Sequence, residues 1–388
     1  MQTKTFMETP PDLHTDLSDI ERVIWSHETD TGPVLVIFAG IHGNELAGIY
    51  ACQRLSKKLS ENTDKLEGSV YMISGNREAI KMGYRYINRD LNRIWNEVTE
   101  GVKANPELQD DIEWEESLEL LQVINTIVDK HKNTHRDVYF CDLHTTSAQS
   151  CAFILFNDTL ENRRSASVFP VPQILGIEES IHGTLLSFIN DLGYPAIGFE
   201  AGEHNDPQSV LRTEAFLRLY LHFLNILKLK LPELQRCEEV MSAPSGNLDE
   251  YYEITYHHFV EDAREFDMKK GYQNFDPISK GDLLAYDHEK PVYAPTDGLI
   301  FMPLYQSKGR DGFFILKGRS PFWLEVSSVF RDSFLNKYLH FLPGVDKVGH
   351  GSFTVDLRVA RFFVKEIFHL LGYRVIRKDE QTLVCYKR

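Results

Sequence analysis

The stretch Val34-Leu-Val-Ile-Phe-Ala-Gly-Ile-His-Gly-Asn-Glu45 constrains this chain more than any other. An unbroken apolar run, rich in β-branched residues and closed by glycine, predicts a strand buried on both faces, the kind found inside a parallel sheet. His42 and Glu45 follow where that strand ends. In open α/β sheets ligands bind outside the carboxyl ends of the strands, so a candidate pair of metal ligands stands in the right place.

The pattern then repeats. Residues 45–59 carry Leu46, Ile49, Tyr50 and Leu55 at helical spacing, which puts Glu45 near a helix N-terminus. A second strand over 69–74 opens into a polar stretch, 77–96, with too few periodic apolar residues for a packed helix; it reads as a functional loop. Residues 114–131 form a helix with a solvated acidic face. The strand predicted at 138–142 ends in Leu143-His144, another follows at 151–156, and a helix is expected over 178–192. A shorter strand, Tyr194-Pro-Ala-Ile-Gly-Phe-Glu200, delivers a glutamate into a glycine-bearing turn, and 210–230 closes this part as an apolar helix. Alternating strands and helices predict an α/β fold with a mostly parallel sheet flanked by helices on both faces.

At 388 residues the chain exceeds the size of a single growing core. The texture changes near Cys237, so residues 1–240 are read as the catalytic domain and 241–388 as a β-rich domain with a terminal helix and hairpin. Ala243-Pro-Ser-Gly246 reads as a linker, followed by closely spaced turn signals and short strands of a small barrel or sandwich. Residues 278–302 are similar to the hammerhead barrel of biotinyl and lipoyl domains but lack their Met-Lys hairpin, so no carrier role follows. The tail is expected to hold a helix over 355–371 and a strand pair at 373–376 and 383–386.

Composition narrows the partners. A formal charge of −15 argues against nucleic acid and anionic membranes. The five cysteines are odd in number and in no CxxC pair, which points to a reducing, cytoplasmic setting. The start lacks an apolar leader, and no apolar stretch approaches the ~18 residues of a membrane helix.

Zinc bound by two imidazoles and a carboxylate keeps a position open for water and lowers its pKa to roughly 7. His42, Glu45 and His144 would provide that set. Spacing alone is weak, since with 15 histidines a bare His-x-x-Glu arises by chance about once in such a chain. His258-Phe-Val-Glu261 has the same spacing without a buried strand before it and is read as the accidental copy. The setting at strand ends, shared with His144 and Glu200, singles out the His42 pair.

Gly40-Ile-His-Gly-Asn-Glu45, Arg85-Tyr-Ile-Asn-Arg-Asp-Leu-Asn-Arg93, Asp142-Leu-His144 and Tyr194-Pro-Ala-Ile-Gly-Phe-Glu200 together resemble the succinylglutamate desuccinylase/aspartoacylase family of zinc amidohydrolases, relatives of the metallocarboxypeptidases. The resemblance covers residues 30–230 and implies a zinc carboxypeptidase-like fold, with one Zn2+ per chain on His42, Glu45 and His144. It implies Glu200 as the general base, Arg85 as the arginine that stabilises the oxyanion, and Asn92 and Arg93 as the pair that holds a substrate carboxylate.

Relatives acting on N-acetylaspartate carry a further arginine before the catalytic glutamate. Here that region reads Phe188-Ile-Asn-Asp-Leu192, and the step from Tyr194 to Glu200 is one residue longer. Arg163 and Arg164 are the candidates to replace that arginine, with a surface role the simpler reading. His182, His204, His257 and Arg89 read as ordinary polar residues. The expected activity is hydrolysis of the amide bond of an N-acyl amino acid or similar small carboxylate. The alternatives are a metallocarboxypeptidase trimming a peptide or cell-wall fragment, and a non-catalytic scaffold that keeps the fold. The acyl group, the amine product and the oligomeric state, homo-oligomers included, stay open.

Overall fold

The structure is a computed structural model describing residues 16–103, 110–242, 248, 250–306, 308–331, 333–349, 351–360, 364–379 and 381–388. Its strands are β1 (Val23–His27), β2 (Val34–Ala39), β3 (Ser69–Ser74), β4 (Val138–Thr146), β5 (Phe153–Phe156), β6 (Gln173–Leu175) and β7 (Ala196–Glu203), then β8 (Tyr251–Phe259), β9 (Phe266–Met268), β10 (Pro277–Ile278), β11 (Leu283–Asp287), β12 (Lys290–Tyr293), β13 (Gly298–Phe301) and β14 (Asp311–Arg319). The tail adds β15 (Val345–Gly349), β16 (Ser352–Asp356), β17 (Tyr373–Arg377) and β18 (Thr382–Lys387).

The main sheet runs β1-β3-β2-β4-β7-β5-β6-β8-β14-β13-β10. From β3 to β7 all neighbours are parallel, as are β5 with β6 and β6 with β8; β1, β5 against β7, and the strands beyond β8 pair antiparallel. The β-rich region therefore continues the same sheet through β8. Smaller sheets, β12-β11-β9 and β15-β16-β18-β17, complete it.

All six residues of β2 are buried, because both faces of the strand are covered. Leu35 and Ile37 meet helices Ala47–Ser60 and Pro207–Phe223 through Ile49, Leu55, Phe216 and Tyr220. Val34, Val36 and Phe38 point the other way, toward Trp95, Leu120 and Ile124 of the opposite layer. Each such side chain contributes roughly 1.5–3 kcal/mol of burial, so a charge at Ile37 would break the layer.

Three local expectations are corrected. The helix expected over 178–192 is a 3-10 turn, Ile177–Glu179, and a separate helix, Leu185–Asp191. Gly183 breaks it at φ +68, where an added Cβ would lie 2.3 Å from the Arg93 carbonyl oxygen, and Thr184 caps the new start. The tail helix does not reach back to 355: Val355 belongs to β16, and among the described residues the helix is Val364–Leu370. The polar stretch 77–96 is not one loop but holds helix Arg77–Met82, a 3-10 turn Leu91–Arg93 and the start of helix Trp95–Glu100. The proposed linker at 243–246 lies outside the described residues. Among the described residues no helix is long and apolar enough to cross a membrane.

Candidate metal centre

The chain turns out of β2 at Gly40, φ +74, and packs onto the loop after β3, with Gly75 N–H donating to Ala39 O at 2.8 Å and Asn76 N–H to Gly40 O at 2.9 Å. Gly43 sits so close to the helix that follows β3 that a Cβ would lie 2.2 Å from the Ala79 carbonyl carbon. This squeeze fixes His42, and the next turn puts Glu45 at the mouth of helix Ala47–Ser60, where the helix dipole favours a carboxylate. His144 comes from β4. Asp142 lies two residues earlier on the same face, as strand alternation requires.

One ligand atom each from His42, Glu45 and His144 lies within 4.8 Å of the others, and all three residues are buried. Nδ1 of His42 is 2.9 Å from Glu45 Oε1, and Nδ1 of His144 is 2.9 Å from Glu45 Oε2. The opposite ring nitrogens are held by carboxylates: His42 Nε2 by Asp90 Oδ1 at 3.0 Å, His144 Nε2 by Asp142 Oδ2 at 2.8 Å. With Nε2–H donated to the aspartates, both Nδ1 lone pairs face a carboxylate. That arrangement needs protons or a shared cation between donor atoms, so the donor set fits a divalent metal ion, and carboxylate-backed imidazoles are its usual support.

The titration of these groups says the same. Burial disfavours the His144 imidazolium, but Asp142 and Glu45 outweigh it and push its pKa well above the ordinary histidine value. Burial opposes ionisation of Glu45 and Asp90, yet His42 leads the neighbouring charges that hold both well below the carboxylate range. The pocket draws positive charge to itself.

Glu200 lies on β7 directly opposite His144, is 4 % exposed, and its Oε2 has no hydrogen-bond partner among the described residues. Burial raises its pKa to about 8, aided by Glu45 and Asp142 and opposed by His144 and Arg85. A buried carboxyl beside a cation site with a pKa near neutrality has the profile of a proton carrier. Arg85 donates to Asp90 Oδ2 from Nη2 at 3.0 Å and stands 3.4 Å from Glu45 Oε1. Asn92 accepts the Leu185 N–H on Oδ1 at 2.8 Å, which leaves its amide NH2 facing the other way.

His42, Glu45, Arg85, Asn92, Arg93, His144 and Glu200 line one cavity of about 100 Å3, roofed by Met302, Leu304, Gln306 and Phe314 from the β-rich region. A larger cavity of about 610 Å3 lies beneath the tail, but it holds none of the convergent donors, so the chemistry belongs to the smaller one. Arg163 lines the larger cavity and is bound to Asp158 at 2.5 Å, so it does not enter the site. His258 is 3.1 Å from Asp287 and stacks on Phe313, away from the centre.

Sequence reading missed several groups here. Asp90 and Asp142 sit inside the quoted motifs, and Asp142 at two residues before a strand-end histidine was a readable signal. Glu113 was not readable: from helix Ile112–His131 it accepts the N–H groups of Ile87, Asn88 and Arg89 at 2.7, 2.9 and 3.2 Å and so fixes the Arg85–Arg93 segment. His204, read as ordinary, lines the cavity and meets Thr145 Oγ1 at 2.7 Å.

The sequence model described as Succinylglutamate desuccinylase/Aspartoacylase catalytic domain matches residues 31–229. A succinylglutamate desuccinylase of Pseudomonas aeruginosa (strain LESB58) is 45 % identical over 67 residues, 17 % of this chain and 20 % of that protein. The Pseudomonas fluorescens (strain Pf0-1) protein of the same description is 39 % identical over 67 residues, again 17 % of this chain and 20 % of the relative. The match thus spans about a fifth of the length of these relatives. Among solved structures, succinylglutamate desuccinylase/aspartoacylase from Rhodobacter sphaeroides aligns with TM-score 0.53 at 15 % identity, covering 76 % of this chain and 88 % of that one. Succinylglutamate desuccinylase from Vibrio cholerae aligns with TM-score 0.51 at 17 % identity, covering 74 % and 82 %. These structures share the mixed α/β architecture with its β-rich C-terminal region.

Proposed function

Because this chain belongs to the succinylglutamate desuccinylase/aspartoacylase family, we propose that it is a zinc-dependent amidohydrolase that deacylates an N-acyl amino acid or a similar small carboxylate. The observation that carries the reading is the convergence of His42, Glu45 and His144 donor atoms within 4.8 Å, beside a buried Glu200 oxygen that has no hydrogen-bond partner among the described residues.

His42 and His144 through Nδ1, with the Glu45 carboxylate, would hold the ion. When bound, zinc supplies a Lewis acid and lowers the pKa of water in the site. Glu200 takes the proton of the attacking water on its carboxylate and returns it to the leaving amine nitrogen. Its buried setting keeps its pKa close enough to neutrality for both transfers. Arg85, held by Asp90, presents fixed positive charge to the oxyanion as it develops. The Asn92 amide and the Arg93 fork receive the substrate carboxylate, a bidentate task for which lysine would not substitute. In this reading residues 1–240 supply the chemistry, and the β-rich region after 241 roofs the cavity.

Zinc content and turnover of a panel of N-acyl amino acids test it. One zinc per chain and turnover lost in Glu200→Gln are expected; a protein that holds no metal, or whose activity ignores Glu200, overturns it. One observation favours the carboxypeptidase alternative: beyond Arg93 the site adjoins an outer chamber of about 700 Å3, roomy enough for a longer chain. Faster turnover of peptides than of acyl amino acids would decide for that reading.

A further inference from the structure

Asp311 is the first residue of β14, far along the chain from the metal centre, yet its carboxylate reaches the site. Its Oδ2 accepts from Arg93 Nη2 at 2.6 Å, while Arg93 Nη1 donates to Asn92 O at 2.7 Å. Both terminal nitrogens of the fork assigned to the substrate's acid group are therefore engaged, one of them by a carboxylate of the protein. Asp311 is itself held in place. Its backbone pairs with Phe259 on β8, and His257 Nε2 stands 3.0 Å from Oδ1, off hydrogen-bond alignment. The His257 ring is fixed in turn by stacking on Phe314 at 4.4 Å. The Arg93–Asp311 pair forms the wall between two spaces, since both residues line the inner cavity and also the outer chamber.

We propose that Asp311 is a specificity-determining residue: it engages Arg93 as an internal carboxylate, with which a substrate's acid group must compete. The inference rests on the reading of Arg93 given under the proposed function and deepens it. A free carboxylate meets a competitor already in place and binds poorly. An acyl amino acid held at the reacting amide delivers its carboxylate intramolecularly, at high effective concentration, and wins the exchange. The pair thus discriminates intact substrate from free acids, the released product among them.

The test uses the zinc-loaded full chain and propanoate as probe, titrated calorimetrically. Asp311→Asn should bind propanoate tighter than the parent by about tenfold or more, the scale of one released charge-assisted hydrogen bond. Arg93→Gln should abolish that gain, which separates binding at the arginine from binding at the metal. For the best acyl amino acid, Asp311→Asn should lower KM with kcat changed less than about threefold. Unchanged or weaker propanoate binding, or a raised KM, overturns the proposal and makes Asp311 a residue that aims Arg93. Asp311→Ser serves as the second variant if the first fails to fold. If the parent turns over no acyl amino acid, the deacylase reading fails, while the propanoate comparison still decides the role of Asp311.

Discussion

Asp142 holds His144 from behind: its Oδ2 lies 2.8 Å from His144 Nε2, on the same face of one strand, with both side chains buried. The contact fixes ring orientation and tautomer, so that Nδ1 is the nitrogen left for a ligand. Asp142→Asn should keep the fold and weaken zinc binding by about 10- to 100-fold, the usual effect of losing such a support. Competition with a chromophoric chelator measures it. Undiminished affinity would show that Nδ1 is not presented in this way.

Glu200 must be ionised to accept a proton, and burial raises its pKa to about 8. Activity should therefore rise with pH as the carboxylate forms. A bound divalent cation stabilises the carboxylate, so the rising limb of kcat/KM in the zinc-loaded protein should fall below 8. Glu200→Gln should cost about 10^2- to 10^4-fold in kcat while retaining zinc. A pH–rate profile with parallel zinc analysis checks both, and an active glutamine variant would remove Glu200 from the mechanism.

The strand-end groups were legible because each follows a buried apolar run that only one architecture accommodates: His42 after β2, His144 at the end of β4, Glu200 on β7. Their distance in sequence did not matter, since parallel neighbours bring strand ends together. Asp311 was illegible for the opposite reason. It meets Arg93 across 218 residues, through a strand whose place between β8 and β13 no local pattern announces. The short helices of the 77–96 stretch were missed because each is only one or two turns long, too short to show apolar periodicity, and the segment between them is held by Glu113 from a distant helix. The division of the 178–192 helix turned on a close approach of Gly183 to Arg93, a tertiary fact.

Glu113 is fully buried and satisfies three backbone N–H groups together with Asn76 Nδ2 at 2.9 Å. Glu113→Gln would turn an amide NH2 toward these donors. A loss of about 3 kcal/mol in stability is expected, in the range for breaking a buried charge-assisted network. Urea denaturation gives the value. A change below about 0.5 kcal/mol would mean the segment is held by other contacts.

The tail docks through charge. Asp158 accepts from Arg331 Nη2 at 2.5 Å and Arg388 Nη1 at 2.9 Å, and Glu179 from His369 Nε2 at 2.9 Å and Arg388 Nη2 at 2.8 Å. Burial opposes ionisation of Glu179, but His369 and Arg388 outweigh it and lower its pKa from 4.5 to about 2; Asp158 is held lower still by Arg388 and Arg331. Folded-state pKa values below the unfolded ones give stability that is present above about pH 4.5 and lost as pH falls toward 2. Asp158→Asn should cost about 3 kcal/mol at neutral pH, because it takes from the buried Arg331 guanidinium its carboxylate partner. Thermal melts across that pH range check it; a flat acid profile would show that the tail is held by its apolar contacts instead.

The most direct test of the central claim is amine release from N-acyl amino acids before chelation, after chelation, and after return of one equivalent of zinc. The account predicts turnover that disappears with the metal and returns with it. Amide hydrolysis indifferent to chelation, or a fully zinc-loaded chain inert toward the whole panel, would contradict it.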